Sequence, residues 1–327
     1  MPIPEHISKN IALPVIGAPL FLISVPELVI AQCKAGIIGS FPALNARPQE
    51  VLEEWIIQIK NELAEYQTAN PDKKVAPFAV NQICHGSNDR LQGDMEICVK
   101  HEVPIIITSL RPPAEVVDAA HSYGGLVFHD VINVRHAKKA ASMGVDGLIL
   151  VCAGAGGHAG ALSPFALLRE VQEWFDGTII LSGSIGDGYS VASALALGAD
   201  FAYLGTRFIA TQEANADQNY KQMLIESAAD DIVYSSLFTG VLGNYLKPSI
   251  EQAGLDPNNL PTADKSTMNF GSGGNTDAKA WKDIWGSGQG IGLIEDAPTV
   301  DALVTRLSEE FRDATSKFIS KAKLQRL

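Results

Sequence analysis

Residues 179–206 read IILSGSIGDGYSVASALALGADFAYLGT, in which two short apolar runs each end in glycine and enclose a helix-like segment. The runs at 179–182 and 202–205 are almost wholly apolar, a pattern typical of strands that are buried on both faces. Two parallel strands joined by a helix form a right-handed βαβ unit. The stretch therefore predicts a parallel sheet with glycine turns where two of its strands end.

The same alternation extends through the upstream sequence. Eight strands are predicted, at residues 14–17, 36–40, 78–81, 105–108, 126–129, 147–151, 179–182 and 202–205. Apolar residues at helical spacing predict helices at 26–34, 48–66, 114–123, 134–143, 165–175 and 188–197. An open doubly wound sheet usually carries G-x-G-x-x-G after its first strand, whereas the first strand here runs into Gly17-Ala-Pro-Leu. We therefore predict an α/β fold, a (β/α)8 or TIM barrel.

The alternation of predicted strands and helices stops after Thr206. Residues 211–290 are polar and rich in glycine, and they predict an inserted, mostly helical or loop segment that caps the active-site face. The barrel domain is expected to comprise residues 1–210 and 291–327, with a final helix from 300 to about 321.

Composition restricts the class of function. The 327 residues are 46% hydrophobic and carry a net charge of −12, which argues against a nucleic-acid partner because no basic surplus is available for phosphates. No apolar run reaches the roughly 18 residues of a membrane helix, and the first residues show no signal-peptide pattern. The four cysteines form no C-x-x-C pair, and no metal-ligand cluster is recognised. These features predict free thiols and a cytoplasmic enzyme without a metal.

Two glycine segments predict a phosphate site. In a barrel, phosphate groups favour the loops after the seventh and eighth strands, where Gly183-Ser184 and Gly205-Thr206 stand. Glycine lets the backbone approach a phosphate closely, and a following helix start offers N–H donors. Plain tight turns are the alternative for either segment alone, but their joint position favours a phosphorylated cofactor.

Polar residues at other strand ends predict the rest of the site. His158 lies in the glycine-dense loop after the sixth strand and can exchange a proton near neutral pH, so we predict that it is catalytic. Its alternative role is that of a surface histidine. Asn81 ends the third strand, and its amide suits the edge of a flavin ring. His129 ends the fifth strand and is expected to reach the cofactor.

Several motifs, in this order, resemble those of the nitronate monooxygenases, a family of FMN-dependent TIM-barrel flavoproteins also known as 2-nitropropane dioxygenases. The matching segments are Gly17-Ala-Pro, Ala35-Gly-Ile-Ile-Gly-Ser, Val80-Asn81, Ala155-Gly-Gly-His-Ala-Gly, Ser182-Gly-Ser-Ile-Gly-Asp-Gly, Ala194-Leu-Ala-Leu-Gly-Ala-Asp, Leu204-Gly-Thr-Arg-Phe and Trp285-Gly-Ser-Gly-Gln-Gly-Ile-Gly-Leu-Ile. The resemblance implies FMN as the cofactor. Together with the strand-end argument it assigns the cofactor site to Ala18, Pro19, Leu20, Asn81, His129, Gly156, Gly157, Ser182, Gly183, Ser184, Gly205, Thr206, Gln289 and Gly290.

The resemblance also implies a reaction. Members of the family oxidise an alkyl nitronate with O2 to a carbonyl compound and nitrite, and His158 matches their catalytic histidine. Its implied role is to act as base for neutral nitroalkanes and to stabilise the nitronate as a positive or donating imidazole. The loop at Cys152 departs from the family pattern because it lacks a glutamate found in many relatives, and Leu20 stands where methionine is common. The substrate pocket is therefore expected to differ more than the flavin site.

Three alternatives share these motifs. An NADH-dependent reductase of quinones or enoyl thioesters would use the same FMN barrel. A flavin-free phosphosugar or purine-nucleotide enzyme would use the same phosphate loops, and a non-catalytic binding barrel would use neither the flavin nor His158. A homodimer is left open as the assembly.

Overall fold

The computed structural model describes residues 3–111, 113–262 and 284–324, with backbone alone for His6 and Leu324. Eight parallel strands form one sheet in the order β1-β9-β8-β6-β5-β4-β3-β2. A parallel bridge between Ile16 and Ile38 joins its two edges, with Gly17 N donating to Ile38 O at 2.8 Å. The strands in chain order are β1 (Val15–Gly17), β2 (Gly39–Pro42), β3 (Phe78–Cys84), β4 (Ile105–Leu110), β5 (Leu126–Val131), β6 (Gly147–Val151), β7 (Gly157–His158), β8 (Thr178–Ser182), β9 (Phe201–Leu204), β10 (Ile232–Ser235) and β11 (Gly243–Leu246).

Helices alternate with these strands and cover the outside of the barrel. They are α1 (Glu5–Ser8), α2 (Pro26–Lys34), α3 (Val51–Ala69), α4 (Leu91–Lys100), α5 (Ala114–His121), α6 (Val134–Ala141), α7 (Pro164–Gln172), α8 (Gly188–Leu197), α9 (Thr206–Ile209), α10 (Gln218–Glu226), α11 (Lys247–Gln252) and α12 (Val300–Leu324). Short 3-10 helices occupy Ala43–Asn45, Ala229–Asp231 and Gln289–Leu293. The predicted (β/α)8 barrel is therefore confirmed. In the part of the chain that the structure describes, no helix combines the length and apolarity needed to cross a membrane.

Several element positions differ from the sequence prediction, and two of these differences have a clear physical reason. The second strand begins at Gly39 rather than at Gly36, because Gly36 has a φ of +83° and forms the turn that precedes it. Helix α4 was not among the predicted helices. Its inward face carries Asp94, a fully buried carboxylate paired with Arg90 at 3.0 Å, so the apolar spacing is interrupted.

Alternate residues of each strand face two separate cores. Ile16, Ile107, Ile149 and Ile180 fill the barrel interior together with Phe128. The residues between them pack outward against the helices in a second, larger apolar layer. This alternation decides which strand-end side chains reach the mouth of the barrel.

The segment after β9 packs over the carboxyl ends of the strands. Within it β10 and β11 pair antiparallel, and β11 pairs in turn with β7 of the barrel loop. Tyr220 of α10 stacks on Trp285 with 4.7 Å between ring centroids, which holds the returning chain. The two strands were not predicted. Residues 263–283, including the Gly271-Ser-Gly-Gly-Asn stretch within the predicted cap, lie outside the described residues.

Candidate active site

A cavity of about 940 Å³ opens at the carboxyl ends of the barrel strands. Its walls combine glycine loops, a polar floor and an apolar side. Of the residues predicted for the site, those that line it are Ala18, Pro19, Leu20, Asn81, Gly156, Gly157, His158, Ser182, Gly183, Ser184, Gly205, Thr206 and Gly290. His129 and Gln289 do not line it.

The loop after β8 turns its backbone towards the cavity. Gly183 has a φ of +130° and Ser184 a φ of +55°, two successive residues in conformations that favour glycine. A Cβ atom on Gly183 would lie 2.7 Å from Ala153 O, so a side chain has no room there. Within residues 3–111, 113–262 and 284–324, the N–H groups of Ile185 and Gly205 meet no acceptor. These N–H groups can therefore bind an anionic group.

The chain from Gly286 to Gly290 packs backbone to backbone on the glycine loops. Gln289 N donates to Gly154 O at 2.9 Å, and Gly288 N donates to Thr206 Oγ1 at 2.9 Å. A Cβ atom on Gly156 would lie 2.8 Å from Gly288 N, which explains the glycine at that contact. Gln289 thus supports the loops from outside the cavity. Thr206 accepts one hydrogen bond and keeps its own hydroxyl proton for a ligand.

The start of α8 does not supply phosphate donors, contrary to the sequence prediction. Asp187 accepts from Ser190 N at 2.7 Å, and Glu310 of α12 accepts from Gly188 N at 2.7 Å. Two carboxylates therefore already satisfy this helix terminus. The donors that remain are those of the loops themselves.

Three polar side chains from adjacent strands form the floor. Asn81 Nδ2 donates to Ser109 Oγ at 3.1 Å, and Ser109 Oγ donates to Asp130 Oδ2 at 2.7 Å. Asp130 Oδ1 is buried and has no hydrogen-bond partner among the described residues, and the same holds for Tyr203 Oη. Burial raises the pKa of Asp130 to about 7, against the hydrogen bond from Ser109, which lowers it.

The structure does not bring His129 to the cavity. Its Nδ1 lies 2.8 Å from Thr108 Oγ1, and the side chain is buried on the same outward face of β5 as Val127 and Val131. Burial lowers the pKa of His129 to about 4. Because Phe128 points into the barrel, its neighbour His129 points out and Asp130 points in. Asp130 is therefore the residue of β5 that lines the cavity.

His158 is fixed by the pairing of β7 with β11. Its backbone pairs with Gly243, and its Nε2 lies 2.7 Å from Thr239 Oγ1. Burial lowers the pKa of His158 to about 4, so the imidazole is neutral at pH 7. The resemblance implies a base and, separately, a group that stabilises the nitronate as a positive or donating imidazole. A neutral imidazole fits the base and the hydrogen-bond donor but not the positively charged form.

The apolar side of the cavity was missed by sequence reasoning. It is formed by residues from the strand ends and from the loop between β10 and β11, namely Leu110, Ile132, Leu237, Phe238 and Val241. No motif marks these residues. Strand alternation could have identified Asp130 and Tyr203, because each is a polar group on an inward position of an apolar strand.

Comparison with known protein families connects this cavity with a reaction class. The model of the nitronate monooxygenase family matches residues 5–310. The chain belongs to the nitronate monooxygenase family. It is therefore a member of an oxidoreductase family, and the resemblance inferred from its motifs is confirmed.

Proteins of related sequence align with most of this chain. A nitronate monooxygenase of Paraburkholderia phytofirmans is 26% identical over 349 residues, 92% of this chain and 93% of that protein. A (3aS,4S,5R,7aS)-5-hydroxy-7a-methyl-1-oxo-octahydro-1H-indene-4-carboxyl-CoA dehydrogenase of Rhodococcus jostii is 28% identical over 245 residues, 74% of this chain and 65% of that protein. This chain is thus similar in sequence to proteins with more than one named activity.

Solved structures share the fold. FabK from Thermotoga maritima superposes with a TM-score of 0.76 at 21% identity, covering 98% of this chain and 99% of that one. A nitroalkane oxidase from Streptomyces ansochromogenes superposes with a TM-score of 0.76 at 22% identity, covering 95% of this chain and 99% of that one.

Proposed function

We propose that this protein is an FMN-dependent nitronate monooxygenase that oxidises alkyl nitronates with O2 to a carbonyl compound and nitrite. The observation that carries the proposal is the position of His158. A neutral imidazole lines the same cavity as two glycine loops with unpaired N–H groups. A base beside an anion-binding cradle suits a nitroalkane or nitronate held next to a phosphorylated flavin.

The residues present fit FMN. The loops at Gly183 and Gly205 would hold the phosphate through backbone N–H groups, with the Thr206 hydroxyl beside them. Ala18, Pro19 and Leu20 offer a small apolar surface for a flat ring. The unpartnered oxygens of Asp130 and Tyr203 are polar atoms that a ring with alternating carbonyl and N–H groups can satisfy. Bound FMN would supply the electron transfer between substrate and O2.

The chain's own residues have separate tasks in this reaction. His158 accepts the proton from the carbon next to the nitro group when the substrate is a neutral nitroalkane. Thr239 holds the imidazole by its Nε2 atom at 2.7 Å, so that the ring keeps one orientation. Phe238 and Val241 cover the substrate side with apolar surface and exclude water.

Two measurements on the purified protein test the proposal. We expect flavin absorbance in the visible range, and oxygen uptake with ethyl or propyl nitronate. Anaerobic mixing with NADH in a stopped-flow instrument should leave the flavin oxidised, whereas anaerobic nitronate should bleach it. A colourless protein that does not bind added FMN would contradict the cofactor. Prompt bleaching by NADH without nitronate turnover would contradict the reaction.

A second candidate is an NADH-dependent reductase of quinones or enoyl thioesters on the same barrel. The observation in its favour is the relative from Rhodococcus jostii, whose name gives a CoA thioester as substrate. The apolar side formed by Leu237 and Phe238 also suits a bulky acyl group. Bleaching by NADH, followed by reoxidation with an enoyl thioester or a quinone, identifies this activity.

We also propose a domain organisation and a cellular location. Residues 1–210 and 291–327 form the FMN-binding barrel, and residues 211–290 form the cap over the active-site face. The pairing of β11 with β7 and the stacking of Tyr220 on Trp285 support a cap that packs on the barrel mouth. The four cysteines are buried and unpaired, which is consistent with a cytoplasmic location.

A further inference from the structure

The Asp130 carboxyl group on the cavity floor forms a hydrogen bond through only one of its two oxygens among the described residues. Ser109 Oγ donates to Asp130 Oδ2 at 2.7 Å, while Oδ1 has no partner among the described residues. Tyr203 Oη, across the barrel interior on β9, is buried and equally unpartnered in that part of the chain. Unsatisfied polar atoms that are buried together cost free energy unless a ligand satisfies them.

The hydrogen-bond direction determines where a proton on Asp130 resides. Asn81 donates to Ser109, and Ser109 in turn donates to Oδ2, so Oδ2 is already an acceptor. A proton that binds the carboxyl group therefore binds Oδ1. Burial raises the pKa of Asp130 to about 7, so the protonated form is well populated at neutral pH. The result is an O–H donor on the floor of the cavity.

We propose that Asp130 contacts the bound flavin as a neutral acid, donating a hydrogen bond from Oδ1 to a ring carbonyl or ring nitrogen. This inference rests on the proposed FMN site. It gives Asp130 a role in binding the cofactor and in adjusting its redox behaviour, because a donor at an acceptor edge of the ring stabilises the electron-rich reduced form. An ionised Asp130 would oppose both effects.

Other ionisable groups around Asp130 do not offset its charge. On the neighbouring strands the inward residues are Ile105, Ile107 and Ser109 of β4 and Ile149 and Val151 of β6, none of which is ionisable. Burial, and after it the Asp130 charge, raise the pKa of Tyr203 well above its usual value, so the phenol stays neutral. Four arginine or histidine side chains line the same cavity. Arg207 pairs with Asp296 at 3.1 Å, Arg47 lies over the Phe21 ring, and His136 belongs to α6. His158 is neutral.

The test measures FMN affinity between pH 5.5 and 8.5 by the quenching of flavin fluorescence. For the wild-type protein we expect the dissociation constant to rise above pH 7, by up to about tenfold per pH unit, because binding favours the protonated carboxyl. The D130N variant keeps a donor that does not titrate. It should bind FMN more tightly than the wild type at pH 8.5. The phosphate of FMN titrates near pH 6 in both proteins and cancels in the comparison.

A second variant keeps the proposal testable if D130N does not fold. In S109A the carboxylate loses its donor, so the pH at which affinity begins to fall should move upwards. Identical pH profiles for the wild type and D130N, or an unshifted profile for S109A, would overturn the role of Asp130 while leaving the FMN site intact. If neither protein binds FMN, the proposed function fails and this inference fails with it.

Discussion

His158 has an environment suited to a base. Burial lowers the pKa of its imidazole to about 4, so protonation competes with substrate only in acid. The Thr239 hydroxyl lies 2.7 Å from Nε2 and restricts rotation of the ring. A neutral, oriented imidazole can accept a proton from carbon without first losing one of its own.

The H158N variant separates proton abstraction from oxidation. A neutral nitroalkane must lose a proton, whereas its nitronate has already lost it. We expect kcat/KM for nitroethane to fall by about 10²- to 10⁴-fold, the usual contribution of a general base, and kcat/KM for ethyl nitronate to fall much less. Oxygen uptake with the two substrates measures both. Equal losses on the two substrates would show that His158 is not the base.

Thr239 can be tested independently of the base itself. T239V keeps the shape of the side chain and removes its hydroxyl group. We expect kcat with nitroethane to fall roughly fivefold, since the ring loses a net hydrogen bond worth about 1 kcal/mol. T239S should restore most of the loss. A T239S variant as slow as T239V would indicate that packing of the methyl group, rather than the hydrogen bond, positions His158.

At the scale of single residues, the sequence predicts those site residues that stand in glycine motifs or at strand ends. The prediction fails where it depends on which face of a strand a residue occupies. His129 and Asp130 are neighbours, and assigning the wrong one to the cavity reverses the inside and outside of β5. Thr239 could not be found, because its contact with His158 joins residues far apart in the chain.

At the scale of elements, the glycine loops depend on close backbone contacts. Gly154 has a φ of +82°, and a Cβ atom there would lie 2.0 Å from Ser184 Oγ. Its carbonyl accepts from both Ser184 N and Gln289 N. One residue thus joins the loop after β6, the loop after β8 and the segment that closes over both.

The G154A variant should therefore weaken FMN binding. A positive φ costs alanine about 1–3 kcal/mol, and the clash with Ser184 also displaces the loop after β8. G124A is the matched control, because Gly124 has a φ of +84° but nothing lies within 4 Å of the added Cβ atom. We expect both variants to unfold more easily than the wild type, and only G154A to lose FMN affinity in a fluorescence titration. Equal FMN affinity in both would contradict a phosphate site at these loops.

The order of elements was predictable from the sequence, while their long-range contacts were not. Apolar runs bounded by glycine, proline or a polar residue identify all eight barrel strands, because parallel strands are buried on both faces. Strands β10 and β11 escape such a pattern, since each has only four residues, too few for a period of alternating residues to be recognised. The start of α8 looks like an anion site until Glu310, from the last helix, is seen to occupy it.

For the whole molecule, two histidines with lowered pKa values make stability depend on pH. The pKa values of His129 and His158 are about 4 in the folded protein, below the ordinary value of 6.5. Between these values the unfolded chain binds protons that the folded protein does not. Protons therefore favour unfolding, and this contribution to stability is complete above pH 6.5 and is lost as the pH falls towards 4.

The H129Q variant tests this dependence. Glutamine can keep a hydrogen bond to Thr108 but does not titrate. Urea unfolding at several pH values between 7 and 4.5 should give a shallower loss of unfolding free energy for H129Q than for the wild type. Other titrating groups, Asp130 among them, act alike in both proteins. Parallel curves would show that His129 is not buried as a neutral group.

The loop between β10 and β11 has a consequence for how new specificity can arise. Residues 236–242 contribute Leu237, Phe238, Thr239 and Val241 to the cavity, yet both ends of the loop are anchored by paired strands. The glycine loops proposed to bind the FMN phosphate are separate from this loop. Substitutions of the three apolar residues are therefore expected to alter which compounds are accepted while the proposed cofactor site and the framework stay unchanged. Libraries restricted to these three positions are a direct route to altered selectivity, with Thr239 held constant to keep the base in place.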